Sequence, residues 1–245
     1  MNPIFKNHCI NFEELLKPEL IHEKHPLGSM LAIAHRQSKT EEAKIRVDLA
    51  NYKQYESHES CPAYFGLYVE WLAYHFLNHH GSFFNIQNVN MSASEGSTEV
   101  DLGIDGIGYC IKEGLDKQSR RKYQKGSPVY IQVKGTTNRT KEYSANDGSR
   151  LSNFGMNAMA TAITSGHAYQ ARYIIFTTGS GIKYTLNNMS KSLFEVINYE
   201  KINALIKSDV TFLNRLRESV GLGIIDQVVS SPDPEWEMFE FEVDI

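Results

Sequence analysis

Three side chains in two short segments have the types and spacing to hold a divalent cation beside a phosphate. Asp105 closes the motif GID in VDLGIDGIGY, and Gln132 and Lys134 stand two apart in YIQVKG. Residues two apart on a strand point to the same face. A lysine beside an amide in an otherwise apolar strand is expensive to bury, so that strand is expected to end in a polar site. Asp105 precedes it across a connection long enough for a hairpin, and pairing of the two strands lets the three side chains converge. A carboxylate, an amide oxygen and the backbone carbonyl of residue 133 are hard oxygen ligands suited to Mg²⁺. Lys134 can then orient or activate a water and stabilise charge on a phosphate.

Glu70 is a fourth candidate. It is the only formally charged residue between positions 62 and 80. On a helical wheel it falls among Ala63, Leu67, Tyr74 and Leu77, and a lone carboxylate in that setting needs a partner. A metal ion or Lys134 can serve, and so can water at the helix edge. Glu99 and Asp101 lie upstream of Asp105 as secondary acidic candidates, and Asp101 shares its strand parity.

The elements that must position these groups are legible as patterns. Residues 64–78 form a helix, with Phe65, Val69, Leu72 and Phe76 on one stripe, and Gly81 ends it. Residues 83–91, 101–111 and 129–135 read as strands, with a polar, basic hairpin tip over 112–126. Residues 151–165 read as a helix with Met156, Met159 and Ile163 turned inward, and RYIIFTT (172–178) as a buried strand. Short strands are expected over 182–186 and 193–197, and helices over 199–207 and 211–220. Before this core, Pro26 and Gly28 are expected to break the chain ahead of a helix over 39–55. The order predicts an α/β fold with a mixed central sheet flanked by helices. We divide the chain into a mostly helical extension over 1–60, a core domain over 61–225, and an acidic tail over 226–245.

The net charge of −4 excludes a globally basic chain, but the average hides an asymmetry. Nine Lys/Arg and two carboxylates fall between residues 117 and 150, whereas the last twenty residues hold seven carboxylates and no Lys or Arg. The basic segment is polarised toward a polyanion, or it is a solvated loop neutralised elsewhere in the fold. Its candidate contacts are Arg120, Arg121, Lys122, Lys141 and Arg150. Thr136, Thr137, Asn138 and Arg139 follow the YIQVKG strand directly.

These pieces together resemble the Mrr-like restriction endonucleases of the PD-(D/E)XK nuclease superfamily. GLYVEWLAYHFL, LGIDGI, YIQVKG, NAMATAITSGHAYQ and RYIIFTTGS follow the family's order of glutamate-bearing helix, GID strand, V-Q-x-K strand, helix, and strand ending in Thr-Thr, here Thr177 and Thr178. FEVINYEKINALI looks like its next strand and helix. The resemblance covers roughly residues 64–207. It implies a PD-(D/E)XK core in which Asp105 binds metal and Lys134 is the catalytic lysine. Gln132 would fill the second acidic position, which this family often occupies with Gln, and Glu70 would be the helix glutamate that joins the metal site. The implied activity is Mg²⁺- or Mn²⁺-dependent hydrolysis of double-stranded DNA in restriction or defence. One such site cuts one strand, so a homodimer or sequential nicking is expected. Gln132 in place of an acid removes a negative charge from the site. That keeps open a non-catalytic DNA-binding module with a degenerate nuclease fold. A protein-interaction subunit of a defence complex, docking through the acidic tail, is the other alternative.

Other chemistries lack their signatures. Gly103, Gly106 and Gly108 are not in dinucleotide-binding order, and neither a Walker A loop nor a G-x-S-x-G elbow occurs. His75, His79 and His80 have the spacing of a zinc pair, but no matching ligands are near them in sequence. His167 reads as structural or as a phosphate contact. No apolar run reaches the ~18 residues of a membrane span, and the first residues lack a signal-peptide core. Cys9, Cys61 and Cys110 form no CxxC pair. A cytoplasmic location without membrane contact is expected.

Overall fold

Two strands of buried aliphatic and aromatic residues make the centre of the molecule. PVYIQVK (Pro128–Lys134) is buried at its first six positions and RYIIFT (Arg172–Thr177) at all six, the pattern of strands covered on both faces. The computed structural model describes residues 10–51, 64–91, 103–115, 122–144, 150–167, 170–183 and 194–225. Its strands are β1 (Ile86–Met91), β2 (Gly106–Cys110), β3 (Gly114–Leu115), β4 (Lys122–Tyr123), β5 (Pro128–Lys134), β6 (Glu142–Ser144), β7 (Arg172–Thr177), β8 (Gly181–Lys183) and β9 (Glu195–Ile197). The helices are α1 (Phe12–Leu15), α2 (Pro26–Asn51), α3 (Tyr64–His80), α4 (Arg150–Thr164), α5 (Tyr199–Ser208) and α6 (Val210–Ser219).

The chain is α/β. Its main sheet is mixed, in the order β1-β2-β5-β7-β9. β1–β2 and β2–β5 pair antiparallel, whereas β5–β7 and β7–β9 pair parallel. α4 makes the crossover from β5 to β7. The expected basic hairpin forms, with β3 and β4 antiparallel.

Alternation along β5 assigns the two faces. Val129, Ile131 and Val133 join a core with α2, α3, α5 and α6. Tyr130 joins a second core with Phe154, Ala158 and Ala162 of α4 and with Tyr173 and Ile175 of β7. Gln132 and Lys134, in register with Tyr130, therefore project toward the α4 face.

Three local expectations are corrected. α2 starts at Pro26 rather than after Gly28. Proline is well suited to the first helical position, and Leu27, Met30, Leu31 and Ala34 then make a buried i, i+3, i+4, i+7 stripe. The described part of the N-terminal extension thus shares the main core. In α4 the inward face is Phe154, Ala158 and Ala162 with the expected Met159 partly buried against them, whereas Met156 and Ile163 are 64% and 58% exposed. The sheet presents the bulky Tyr130 and Tyr173 here, so the alanines fit where larger residues would clash. Residues 81–84 form a 3₁₀ turn closed by Asn85 at φ 57°, and β1 starts only after it. The short parallel β6–β8 pair is an addition, since β6 lies where no strand is expected, while β8 overlaps the strand expected over 182–186.

Candidate metal and phosphate site

The strand end that carries the candidate residues is built by a mismatch in strand length. β2 begins at Gly106, while β5 runs on to Lys134 past its pairing partner. Asp105, the last residue before β2, donates its N–H to the Ile131 carbonyl over 2.9 Å. The next N–H on that edge of β5, Val133, has no strand backbone to meet. It donates to the Asp105 carboxylate, and the Gln132 Nε2 donates to the same oxygen. Gly103, at φ 79°, turns the chain just upstream, a conformation glycine adopts without steric cost.

Asp105 is 5% exposed and Gln132 3% exposed. Gln132 Oε1 is buried and has no hydrogen-bond partner. An orphaned acceptor costs about 1–3 kcal/mol, so this atom is the exception in the site that asks for a ligand. A half-turn of the amide exchanges its ends and sets Oε1 beside the Asp105 carboxylate. With the carboxylate ionised, two such oxygens repel unless a cation lies between them. Val133 is the residue whose backbone faces this edge, and its carbonyl points the same way. The donor set fits a hard divalent ion.

Lys134 is half-buried two residues along the same face. The loop behind it is held by Thr178, whose Oγ1 accepts the Thr136 N–H at 2.7 Å and donates to the Thr136 carbonyl at 2.6 Å. Thr177, also buried, accepts the Gly179 N–H. Thr178 is thus a clamp on the segment following the lysine, while Thr177 braces its own turn, roles the sequence did not reveal. Gly135 leaves room for α3, since a Cβ there would lie 2.8 Å from Val69 Cγ2.

Glu70 is partly buried on α3. That helix packs on the Val133 face of the sheet, opposite the side toward which Gln132 and Lys134 project. Glu70 follows Val69, which touches Gly135, so its route to the site is around the end of β5. Glu99 and Asp101 lie outside the described residues.

The basic segment divides between the two ends of the sheet. Thr137, Asn138, Arg139 and Lys141 are exposed just beyond Lys134, with Thr136 partly buried at the loop's base. Lys122 is on the hairpin at the other end. Its neighbour Tyr123 stacks under the Arg172 guanidinium at 4.8 Å, and Arg172 pairs with Val129, five steps along β5 from Lys134. That is roughly 17 Å of strand. Arg150 is the first residue of α4, and Arg120 and Arg121 lie outside the described residues.

The structure adds basic groups to the Arg139 side that were missed in the sequence. The segment ahead of α2 is held on α5, where the Asn203 side chain bonds Leu27 N and Lys24 O. His25 there has its pKa lowered by burial first, and then by the charges of Arg139, His22, Lys207 and Lys24. These positions are far apart in the chain, so no local pattern announces them.

A second group of ligand-type side chains lies elsewhere. His79, His80 and Asp209 bring their ligand atoms within 4.8 Å of one another and could hold a metal ion. Burial, and then the neighbouring His79, push His80 down to about 4, with Asp209 acting the other way. Desolvation works against the Asp209 carboxylate, but hydrogen bonds from Thr211 and His79 hold it below the usual range.

No family model, no curated protein and no solved structure matches this chain. No described helix is long and apolar enough to cross a membrane.

Proposed function

We propose that the chain is a divalent-metal-dependent DNA endonuclease with a PD-(D/E)XK-type core. The observation that carries this reading is the Gln132 amide at a splayed strand end, with its Nε2 on the Asp105 carboxylate and its Oε1 buried and unpartnered, so that a half-turn brings two oxygens together. The mixed sheet with a helical crossover and the exposed basic loop beyond Lys134 support it further. In this reading Asp105, Gln132 and the Val133 carbonyl hold Mg²⁺ or Mn²⁺, and Glu70 approaches from the end of β5. The ion, when bound, supplies Lewis acidity to a phosphoryl oxygen and lowers the pKa of a bound water. The Lys134 ammonium orients the attacking water and offsets the charge that grows on the phosphate. Arg139 and Lys141, with Thr137 and Asn138, take neighbouring phosphates and fix the register of the duplex. A homodimer is the arrangement that pairs two such sites for a double-strand cut.

The decisive experiment is digestion of supercoiled plasmid by the full chain with Mg²⁺, with Mn²⁺ and with EDTA, on methylated and unmethylated DNA. Metal-dependent nicking or linearisation that Asp105→Asn removes is the expected result. The second reading, a DNA-binding module that does not cut, draws on the Gln132–Asp105 hydrogen bond, which satisfies the carboxylate without a cation. Salt-sensitive DNA binding with no cleavage in any metal selects it.

A further inference from the structure

We propose that His79, His80 and Asp209 form a transition-metal site of the zinc class that clasps the end of α3 to the start of α6. His79 and His80 are the last two residues of α3, and Asp209 caps α6. His79 Nε2 lies 2.7 Å from Asp209 Oδ2, and His80 Nε2 lies 3.9 Å from the same oxygen. A tetrahedral ion about 2.1 Å from each ligand sets ligand atoms about 3.4 Å apart, and the two observed separations straddle that value. All three ligand atoms lie within 4.8 Å of one another, so the side chains draw together to close on an ion.

The independent pointer to an ion is His80. Its side chain is 3% exposed, and its Nε2 is a buried atom with no hydrogen-bond partner. The ring is packed by Phe76 at 4.9 Å and Phe212 at 5.2 Å, so the nitrogen is held toward the carboxylate yet stops short of bonding it. A cation between them satisfies both. Asp209 is prepared for this, because its Oδ1 accepts from the Thr211 N–H and hydroxyl, leaving Oδ2 directed at the histidines. Such fixed orientation is what supports a metal-binding carboxylate. Two imidazole nitrogens and one carboxylate oxygen suit Zn²⁺ rather than Mg²⁺, and three protein ligands leave a fourth position for water.

One group opposes binding. Arg215 Nη1 lies 3.2 Å from His79 Nδ1. With His79 Nε2 on a metal, Nδ1 carries the proton, and the guanidinium must turn away. Arg215 is exposed and can do so. The site is also separate from Asp105. α3 touches Gly135 through Val69 near its start, whereas the carbonyls of Phe84 and Asn85, just past its end, bond Arg172 at the far end of the sheet.

The test is calorimetric titration of the EDTA-stripped full chain with Zn²⁺, beside the visible spectrum with Co²⁺. The wild type is expected to take up one Zn²⁺ per chain and to give a tetrahedral Co²⁺ spectrum. Saturating Mg²⁺ is kept present throughout so that the Asp105 site is filled and only the histidine site is read, which makes failure here distinct from failure of the nuclease reading. His80→Phe keeps an aromatic ring among Phe76 and Phe212, and Asp209→Asn keeps the cap. Each should weaken uptake by at least the 10- to 100-fold that loss of even an outer-shell partner costs. Arg215→Gln should tighten it. Absence of stoichiometric uptake by the wild type overturns the proposal, as does undiminished uptake by folded His80→Phe or Asp209→Asn.

Discussion

The Gln132 amide and the Val133 N–H converge on one oxygen of Asp105, a residue 27 positions upstream of Gln132. The carboxylate stands where the next residue of β2 would otherwise have met β5. One side chain therefore ends the strand pairing and marks the candidate site, and its two roles make separable predictions. Asp105→Asn keeps the shape and one acceptor. It should abolish metal-dependent cleavage while lowering stability by about 1–3 kcal/mol, the cost of poorly satisfied buried partners. Plasmid nicking normalised to the folded fraction, with a thermal melt alongside, separates the two. Near-normal nicking by the folded variant would remove Asp105 from the chemistry.

Gln132→Glu adds a second buried carboxylate beside Asp105. Like charges at this distance disfavour joint ionisation, so the metal-free variant should melt below the wild type. A divalent ion relieves that repulsion. The rise in melting temperature on adding Mg²⁺ should therefore be larger for Gln132→Glu than for the wild type, with cleavage kept or raised. An equal or smaller Mg²⁺ response would mean that Gln132 serves as an amide donor and not as a ligand position.

The strand pair and its polar end were legible because β5 interrupts an apolar run with Gln132 and Lys134, and alternation alone puts them on one face. The splay at Asp105 was not, since it depends on where β2 stops relative to β5, a register that no local pattern encodes. The inward face of α4 was misread for a related reason. Apolar size favoured Met156 and Ile163, but fit against Tyr130 and Tyr173 decided for the alanines. The third ligand beside His79 and His80 comes from Asp209, 130 positions away from His79, and only the packing of α6 on α3 reveals it. The split of the basic segment between two sheet ends is likewise topological, because a hairpin and the loop after the next strand must leave opposite ends.

That split gives a comparison. Arg139→Glu with Lys141→Glu should weaken binding to duplex DNA across sequences. The slope of log K against log salt should fall by about 0.9 for each phosphate the chain no longer neutralises. Lys122→Glu, at the other end of the sheet, should change the slope less and leave the cleavage rate at saturating DNA unaltered. If the Lys122 change dominates both measurements, the duplex lies along the hairpin end and the candidate site is misplaced.

His75 supplies a pH signature. Its ring packs on Trp71 at 4.8 Å and Tyr74 at 5.0 Å, and burial, with Arg215 adding to it, pushes its pKa down to about 4. The unfolded chain binds this proton below about 6.5, whereas the folded chain does not until about 4. Stability should therefore fall as pH drops through that window and be unaffected by this group above it. His75→Phe should reduce the slope of melting temperature against pH between 6.5 and 4, leaving the part that His80, also held down to about 4, contributes. An identical slope in wild type and variant would show that His75 is protonated in place.

Thr178 offers a test of whether its clamp acts on the lysine through the backbone. Its hydroxyl holds both polar groups of Thr136, two residues beyond Lys134, and it is fully buried. The backbone of the two strands is also joined there, since Thr178 N–H donates to the Lys134 carbonyl at 3.1 Å. Thr178→Val has nearly the same shape and leaves that backbone bond in place. It strands the Thr136 N–H and carbonyl, so the folded chain should lose about 1–3 kcal/mol. The added prediction is functional. With the clamp gone, the segment carrying Lys134 and opening into Arg139 gains freedom, and a loosened catalytic group loses rate more than ground-state binding. Cleavage at saturating DNA should fall while DNA affinity stays within a few-fold of wild type. Thr178→Ser, which restores the hydroxyl, should recover the rate despite its missing methyl. If Thr178→Val lowers stability and leaves the rate per folded molecule intact, the clamp is purely structural. A matching loss in affinity and rate would instead place the effect on the loop's grip on phosphate.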